Sequence, residues 1–126
     1  MATDDTLKLK IQLLCGDEIA MGPGKADLLE AIVAHGSISA AARAMDMSYR
    51  RAWLLVDAMN RCWSAPLVET SPGRAKSGGA RLSEAGRRVL HRYRHLQAAL
   101  DATAHGDLLD GLARELRDAP KTHAAD

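Results

Sequence analysis

Phenylalanine is absent, and two tryptophans and two tyrosines are the whole aromatic complement of the 126 residues. A core must therefore be built from Leu, Ile, Val, Met and Ala. No apolar run is long enough to cross a bilayer and no signal-peptide pattern opens the chain, so no membrane partner is expected. The two cysteines, Cys15 and Cys62, fit no metal or redox spacing, and a reduced, cytoplasmic setting is the simple expectation. No nucleophile stands at a known spacing from a base, and there is no metal-ligand set or recognisable acid pair. That gives an enzyme little support. Gly22-Pro23-Gly24-Lys25 invites comparison with a phosphate-binding loop. The comparison fails, because Ile19 stands where a glycine is needed and Ala26 where the magnesium-binding Ser or Thr would be.

The net charge of +1 hides a strong division along the chain. Residues 42–94 carry eleven Lys and Arg against four Asp and Glu, while each flank carries three cations against six anions. A basic centre between acidic ends suits phosphate binding, and the preference for Arg over Lys suits bidentate contacts to phosphate or guanine. The alternative is a solvated surface that happens to be basic.

Within that centre, SISAAARAMDMSYRRAWLLVDAMNRCW (37–63) reads as two helices joined by a tight corner. Ser39 is placed to cap a short helix over Ala40–Ala44. Asp46 and Met47 make the corner, since Asp tolerates a left-handed backbone. Ser48 caps a longer helix in which Ala52, Val56, Met59 and Trp63 form the buried stripe. Arg50, Leu54, Asp57 and Arg61 occupy the opposite face. This is the pattern of a helix-turn-helix, whose second helix meets base edges with its N-terminal end. Trp53 and Trp63 are read as core anchors.

Around the motif, Leu7, Leu9, Ile11 and Leu13 alternate with polar residues and predict a strand, with Ile19–Met21 returning as a second. Ala26 to His35 predicts a helix with stripe Leu28, Leu29, Ile32 and Val33, ended by Gly36. After Ala65-Pro66, the segments 67–70 and 80–82 flank the loop SPGRAKSGG and predict a wing, with Arg74 and Lys76 at its tip. Ser83 caps a helix to about His105, with a seam of Val89, Tyr93, Leu96 and Leu100 at a period near 3.5. Leu109, Leu112 and Leu116 resume that spacing after Asp107, which can cap a new helix. Such a seam is best used to pair with a second copy; the alternative is that it folds back on its own domain. His91 and His95 stand four apart, but no further metal ligand is near, so no metal is expected.

These stretches carry a resemblance. The run 37–60, preceded by GPGKADLLEAIVAHG and followed by PLVET and GGARLSEAGRRVL, resembles the N-terminal DNA-binding domain of the ModE family of molybdate-responsive regulators, a winged helix-turn-helix of the LysR type. The likeness covers roughly residues 7–100. Its most specific parts are Ser48-Tyr49-Arg50-Arg51-Ala52-Trp53 and the wing with its exit helix. It implies a molybdenum-linked role, typically repression of molybdate uptake genes. Two departures stand out: the wing tip has fewer glycines and more cations, and Asp46 stands where the family often has Gly. In full-length ModE the oxyanion is bound by β-rich domains after the DNA-binding part, and no β pattern follows Leu82 here. No cofactor is therefore expected in this chain, with molybdate left as an open alternative.

The expected fold is mainly α with small β: a winged helix-turn-helix core over 1–82 (motif 39–63, wing 67–82), an N-terminal strand or hairpin, a helical dimerisation segment over 83–118, and a flexible tail over 119–126. The expected function is a homodimeric regulator binding double-stranded DNA at an inverted repeat, with repression as its expected sign. Ser48, Tyr49, Arg50, Arg51 and Leu54 are the candidates for groove contact, with Arg50 on a base edge and Leu54 on a thymine methyl. Ser37, Ser39, Arg43, Arg74 and Lys76 are the candidates for phosphate. Val89, Tyr93, Leu96, Leu100, Leu109 and Leu112 are the candidates for dimerisation. The competing reading is a winged-helix module that binds proteins, which needs an apolar patch on the outer face of the second motif helix.

Overall fold

The computed structural model describes residues 6–71 and 78–123. It is mainly helical with two small antiparallel hairpins. The order is β1 (Leu13–Cys15), β2 (Glu18–Met21), α1 (Pro23–His35), α2 (Ile38–Ala44), α3 (Tyr49–Cys62), β3 (Val68–Thr70), β4 (Ala80–Leu82), α4 (Glu84–Ala104) and α5 (Asp107–Ala113). The chain divides into two units. One is residues 10–97; the other joins residues 1–9 to 98–126.

The first unit holds a winged helix-turn-helix. Leu28, Leu29 and Ile32 from α1, Ala41 and Ala42 from α2, and Ala52, Val56 and Met59 from α3 close a core with Met21, Leu67 and Leu82. Each fully buried Leu, Ile or Met contributes about 1.5–3 kcal/mol through apolar transfer. The alanines of α2 let α1 and α3 approach it closely. Val33 does not join the stripe and is 63% exposed. It lies one residue, about 100° of helix rotation, past Ile32 and so points off the packed face.

Three local expectations are corrected. The strand expected over residues 7–12 is absent, and β1 begins only at Leu13. A strand needs a paired ladder, and β2 ends at Met21 before Pro23 starts α1, so nothing remains to pair with the earlier residues. The carbonyl of Ile11 is taken instead by the Tyr93 hydroxyl at 2.6 Å. The cap of α2 is Ser37, whose Oγ accepts from the Ala40 amide at 3.0 Å, while Ser39 lies inside the helix and is exposed. Gly36 ends α1 in the left-handed region (φ +77°), so Ser37 is the first residue with an extended backbone, and Ile38 must already be helical to reach the core. Lastly, α5 starts at Asp107 with Gly106 at its cap position, so Asp107 is not the cap.

The expected seam on α4 divides. Tyr93 is 3% exposed and Val89 half-buried, both packed in this chain's own core, whereas Leu96 and Leu100 are exposed. Tyr93 has an apolar ring to bury and a hydroxyl with a waiting carbonyl, which fixes it inward. Arg94 beside it forks onto α1, with 3.0 and 2.9 Å bonds to both Glu30 oxygens and 2.7 Å to Asp27. The Arg94 guanidinium holds the Glu30 carboxyl below the usual glutamate range.

The start of α4 is seated on the residues that lead from α3 into β3. Ser83 Oγ accepts from the Gly86 amide at 3.0 Å and donates to the Pro66 carbonyl at 2.6 Å. A Cβ built on Gly86 would run into the Leu67 carbonyl. Neither group is the free end of a flexible side chain, so the close approach requires glycine. Gly86→Ala should therefore destabilise by about 1–3 kcal/mol or more, despite alanine's better helix propensity, as read by chemical denaturation. A stability equal to or above the parent would show that α4 does not sit on Leu67 in this way.

Candidate nucleic-acid interface

The presenting face is set by how α2 turns into α3. Asp46 adopts φ +59°, a left-handed conformation that Asp accepts through local polar bonding. The Met45 amide bonds back to Ala41 at 3.0 Å and the Met47 amide to Ala42 at 3.0 Å, so the corner is closed by main-chain bonds. Ser48 has an extended backbone (φ −70°, ψ 154°), and its Oγ accepts from the Arg51 amide at 3.1 Å. The cap expected there is the cap observed.

On α3, Ala52, Val56 and Met59 are buried. Tyr49, Arg50, Arg51 and Leu54 are exposed, as are Arg43 on α2 and Ser39. Ser48 and half-buried Ser37 spend their oxygens as caps but keep hydroxyl protons to donate. None of Arg43, Arg50 and Arg51 enters an ion pair among the described residues. Other cations of the basic segment are engaged: Arg61 with Asp57 and Glu18 (2.9 Å each), Arg81 with Glu69 (3.2 Å), and Arg94 with Asp27 and Glu30. The basic excess thus separates into arginines that fasten the fold and arginines left to solvent. Arg61, expected on the same face as Arg50, belongs to the first group.

The tryptophans part company. Trp63 is half-buried against the core, and its indole N–H donates to the Ala20 carbonyl at 2.9 Å. Trp53 is not a core anchor. It is 46% exposed, one residue past buried Ala52 and four past Tyr49, with Leu54 equally exposed beside it. The signal was in the spacing: Ala52, Val56 and Met59 already fill the inward face, leaving position 53 on its shoulder.

Asn60 was not singled out from sequence, and it fixes the wing to α3. Its Oδ1 accepts from the amides of Leu67 (2.8 Å) and Val68 (3.0 Å), and its Nδ2 donates to the Val68 carbonyl (3.1 Å). On the other side, the Ala80 amide donates to the Gly36 carbonyl at 2.8 Å, tying the wing to the turn between α1 and α2. Beside the Ala80–Gly36 tie lies a groove of about 370 Å³, lined in part by Gly36, Glu69, Thr70 and Arg81. Its two charges pair with each other. Strands β3 and β4 match the wing expected, in the register Val68 to Leu82 and Thr70 to Ala80. Arg74 and Lys76 lie outside the described residues.

Among the described residues, no group of three or more His, Cys, Asp and Glu could hold a metal ion. His91 and His95, both exposed on α4, lie with ring centroids 4.7 Å apart and ring planes tilted by 39°. No helix among the described residues is long and apolar enough to cross a membrane.

Residues 25–87, from α1 through the wing to the start of α4, match the family described as bacterial regulatory helix-turn-helix protein, lysR family. The chain belongs to that family. As a lysR-family helix-turn-helix it is a regulatory domain and not an enzyme. It is similar to the molybdenum-pterin-binding protein MopA of Rhodobacter capsulatus, 41% identical over 80 residues, covering 64% of this chain and 30% of MopA. It is also similar to the molybdenum transport protein ModE of Azotobacter vinelandii, 41% identical over 86 residues, covering 65% of this chain and 32% of that protein. Against the DNA-binding transcriptional dual regulator ModE of Escherichia coli K12 it is 33% identical over 113 residues, covering 86% of this chain and 42% of that one. The chain thus spans between 30% and 42% of the length of these relatives.

Asn60→Ala should cost about 1–3 kcal/mol, because it strips partners from part-buried backbone groups. Hydrogen exchange at the Leu67 and Val68 amides should speed up with it. Unchanged exchange at those amides would mean that the wing is held by the β3–β4 ladder alone.

Proposed function

We propose that this chain is the DNA-binding part of a molybdenum-linked transcription regulator, acting in the cytoplasm and binding an inverted repeat as a homodimer, with repression as its sign. The observation that carries the reading is the unpaired, exposed cluster of Arg50 and Arg51 at the capped N-terminal end of α3. Guanidinium groups on the first turns of a helix whose opposite face is buried are placed for the edges of guanine in a major groove. Arg50 reads a base, and Leu54 meets a thymine methyl. Ser48, Tyr49 and Arg51 line the groove, while Ser37, Ser39 and Arg43 hold phosphates. Arg74 and Lys76 of the wing loop reach the neighbouring backbone. The molybdenum link rests on the names of the relatives, and no cofactor is assigned to this chain.

For pairing, the candidates narrow to Leu96 and Leu100 on α4 and Leu112 on α5, all exposed; Leu109 is buried. Two-fold symmetry then calls for recognition helices about 34 Å apart, or a multiple of that.

A protein-binding role has one observation in its favour, the exposed apolar surface of Trp53 beside Leu54. Salt separates the two. Affinity for duplexes recovered by in vitro selection should fall steeply with salt, since each neutralised phosphate releases condensed counterions. Arg50→Ala should weaken the selected duplex by about 1–3 kcal/mol and relax preference at one base position. Fluorescence anisotropy over a salt series reads both effects. A salt-independent affinity, or an unchanged preference in Arg50→Ala, would overturn the assignment.

A further inference from the structure

The chain's two cysteines are far apart in sequence and come to the same junction of the fold, between the β1–β2 hairpin and the end of α3. Cys15 ends β1 and stands directly opposite Glu18 in the β1–β2 ladder. Directly opposed residues carry their side chains on the same face. That face looks toward the end of α3, because the Glu18 carboxylate accepts from Arg61 at 2.9 Å. One residue further on, the Trp63 indole donates to the Ala20 carbonyl of the same strand at 2.9 Å. Cys62 therefore sits between two residues that are both fastened to β2. Burial pushes its thiol up, and the neighbouring Cys15 and Glu18 push it the same way. Both cysteines are free; Cys15 is exposed and Cys62 half-buried. The turn between Cys15 and Glu18 is a two-residue corner with Gly16 at φ +59°, which holds the strand end in register.

We infer that Cys15 and Cys62 form a reversible dithiol–disulfide couple that closes between the β1–β2 hairpin and the C-terminal end of α3. The oxidant is a hydroperoxide. The thiolate of exposed Cys15 attacks one peroxide oxygen: an S–O bond forms, the O–O bond breaks, and the departing oxygen leaves protonated as an alcohol or water. Cys62, shielded from the oxidant, gives up its proton and attacks the Cys15 sulfur. An S–S bond forms, the S–O bond breaks, and the hydroxide leaves as water with the Cys62 proton. Two thiols are oxidised by two electrons and one peroxide bond is reduced. A dithiol reductant reverses the step. The bond ties the helix whose other end carries Arg50 and Arg51 to the hairpin packed beneath it. It is independent of the DNA-binding reading, since it concerns only the two sulfurs and the elements that hold them.

The test is titration of the full chain with hydrogen peroxide, followed by alkylation with N-ethylmaleimide, intact mass and peptide mapping without reductant. The couple predicts that alkylatable thiols fall from two to zero per chain and that a Cys15–Cys62 cross-linked peptide appears. The chain should stay single on a non-reducing gel, and a phosphine reductant should restore both thiols. The melting temperature should rise by about 5–10 °C on oxidation, as the crosslink restrains the unfolded chain. Cys15→Ser, at an exposed position, should abolish the crosslink and the rise without disturbing the fold; Cys62→Ser should do the same. Persistence of both thiols, a bond between chains, or sulfinic acid at Cys15 with Cys62 still alkylatable would each overturn the inference.

Discussion

The rotation of α3 about its own axis is the constraint on which the rest depends. Ala52, Val56 and Met59 lock one face of the helix into the core, and the Ser48 cap sets where it begins. Once those are fixed, the opposite face has no freedom in what it offers. Arg50 and Leu54 stand outward because turning them in would strip Val56 and Met59 of their packing and bury a charge with no partner. At the far end Arg61 and Trp63 bolt the helix to β2, and Asn60 holds the wing strand beside it. A rod fixed at both ends and along one side presents its remaining side chains with little loss of entropy on binding.

The distribution of ion pairs follows the same division. Three arginines touch acids across elements: Arg61 joins α3 to β2, Arg94 joins α4 to α1, and Arg81 crosses the wing. These pairs are largely exposed, and individually such pairs contribute little stability. What they do is orient. The resulting surface is basic where the lysR-family motif requires it and close to neutral around it.

Much of this was legible in the sequence. The Ser48 and Ser83 caps, the Gly36 stop, the Asp46 corner, the wing strands and the α3 stripe are local patterns, governed by spacing and by single-residue backbone preferences, although the α2 cap falls on Ser37 and not on Ser39. What was missed depends on partners distant along the chain. Residues 7–12 alternate like a strand yet have nothing to pair with. Tyr93 fits a coiled-coil seam by period, but a carbonyl at Ile11 draws it inward. Trp53 looks like a core residue by type, but the inward positions are already taken. Asn60 is an unremarkable polar residue until three backbone groups of the next strand converge on it. The two cysteines show no motif because the hairpin register, and not their spacing, brings Cys15 to the end of α3 that carries Cys62.

The relatives put molybdenum in view, and the geometry supplies the means of reading DNA, so the decisive question is which surface the duplex covers. Backbone amide shifts of the labelled chain, followed by NMR during titration with a selected duplex, answer it most directly. The largest changes should fall on residues 37–43 and 48–54 and on the wing strands, with the α1 core and α5 unmoved. Changes confined to α4 or α5, with Ser48 to Leu54 unaffected, would contradict the claim that the capped end of α3 is the reading head.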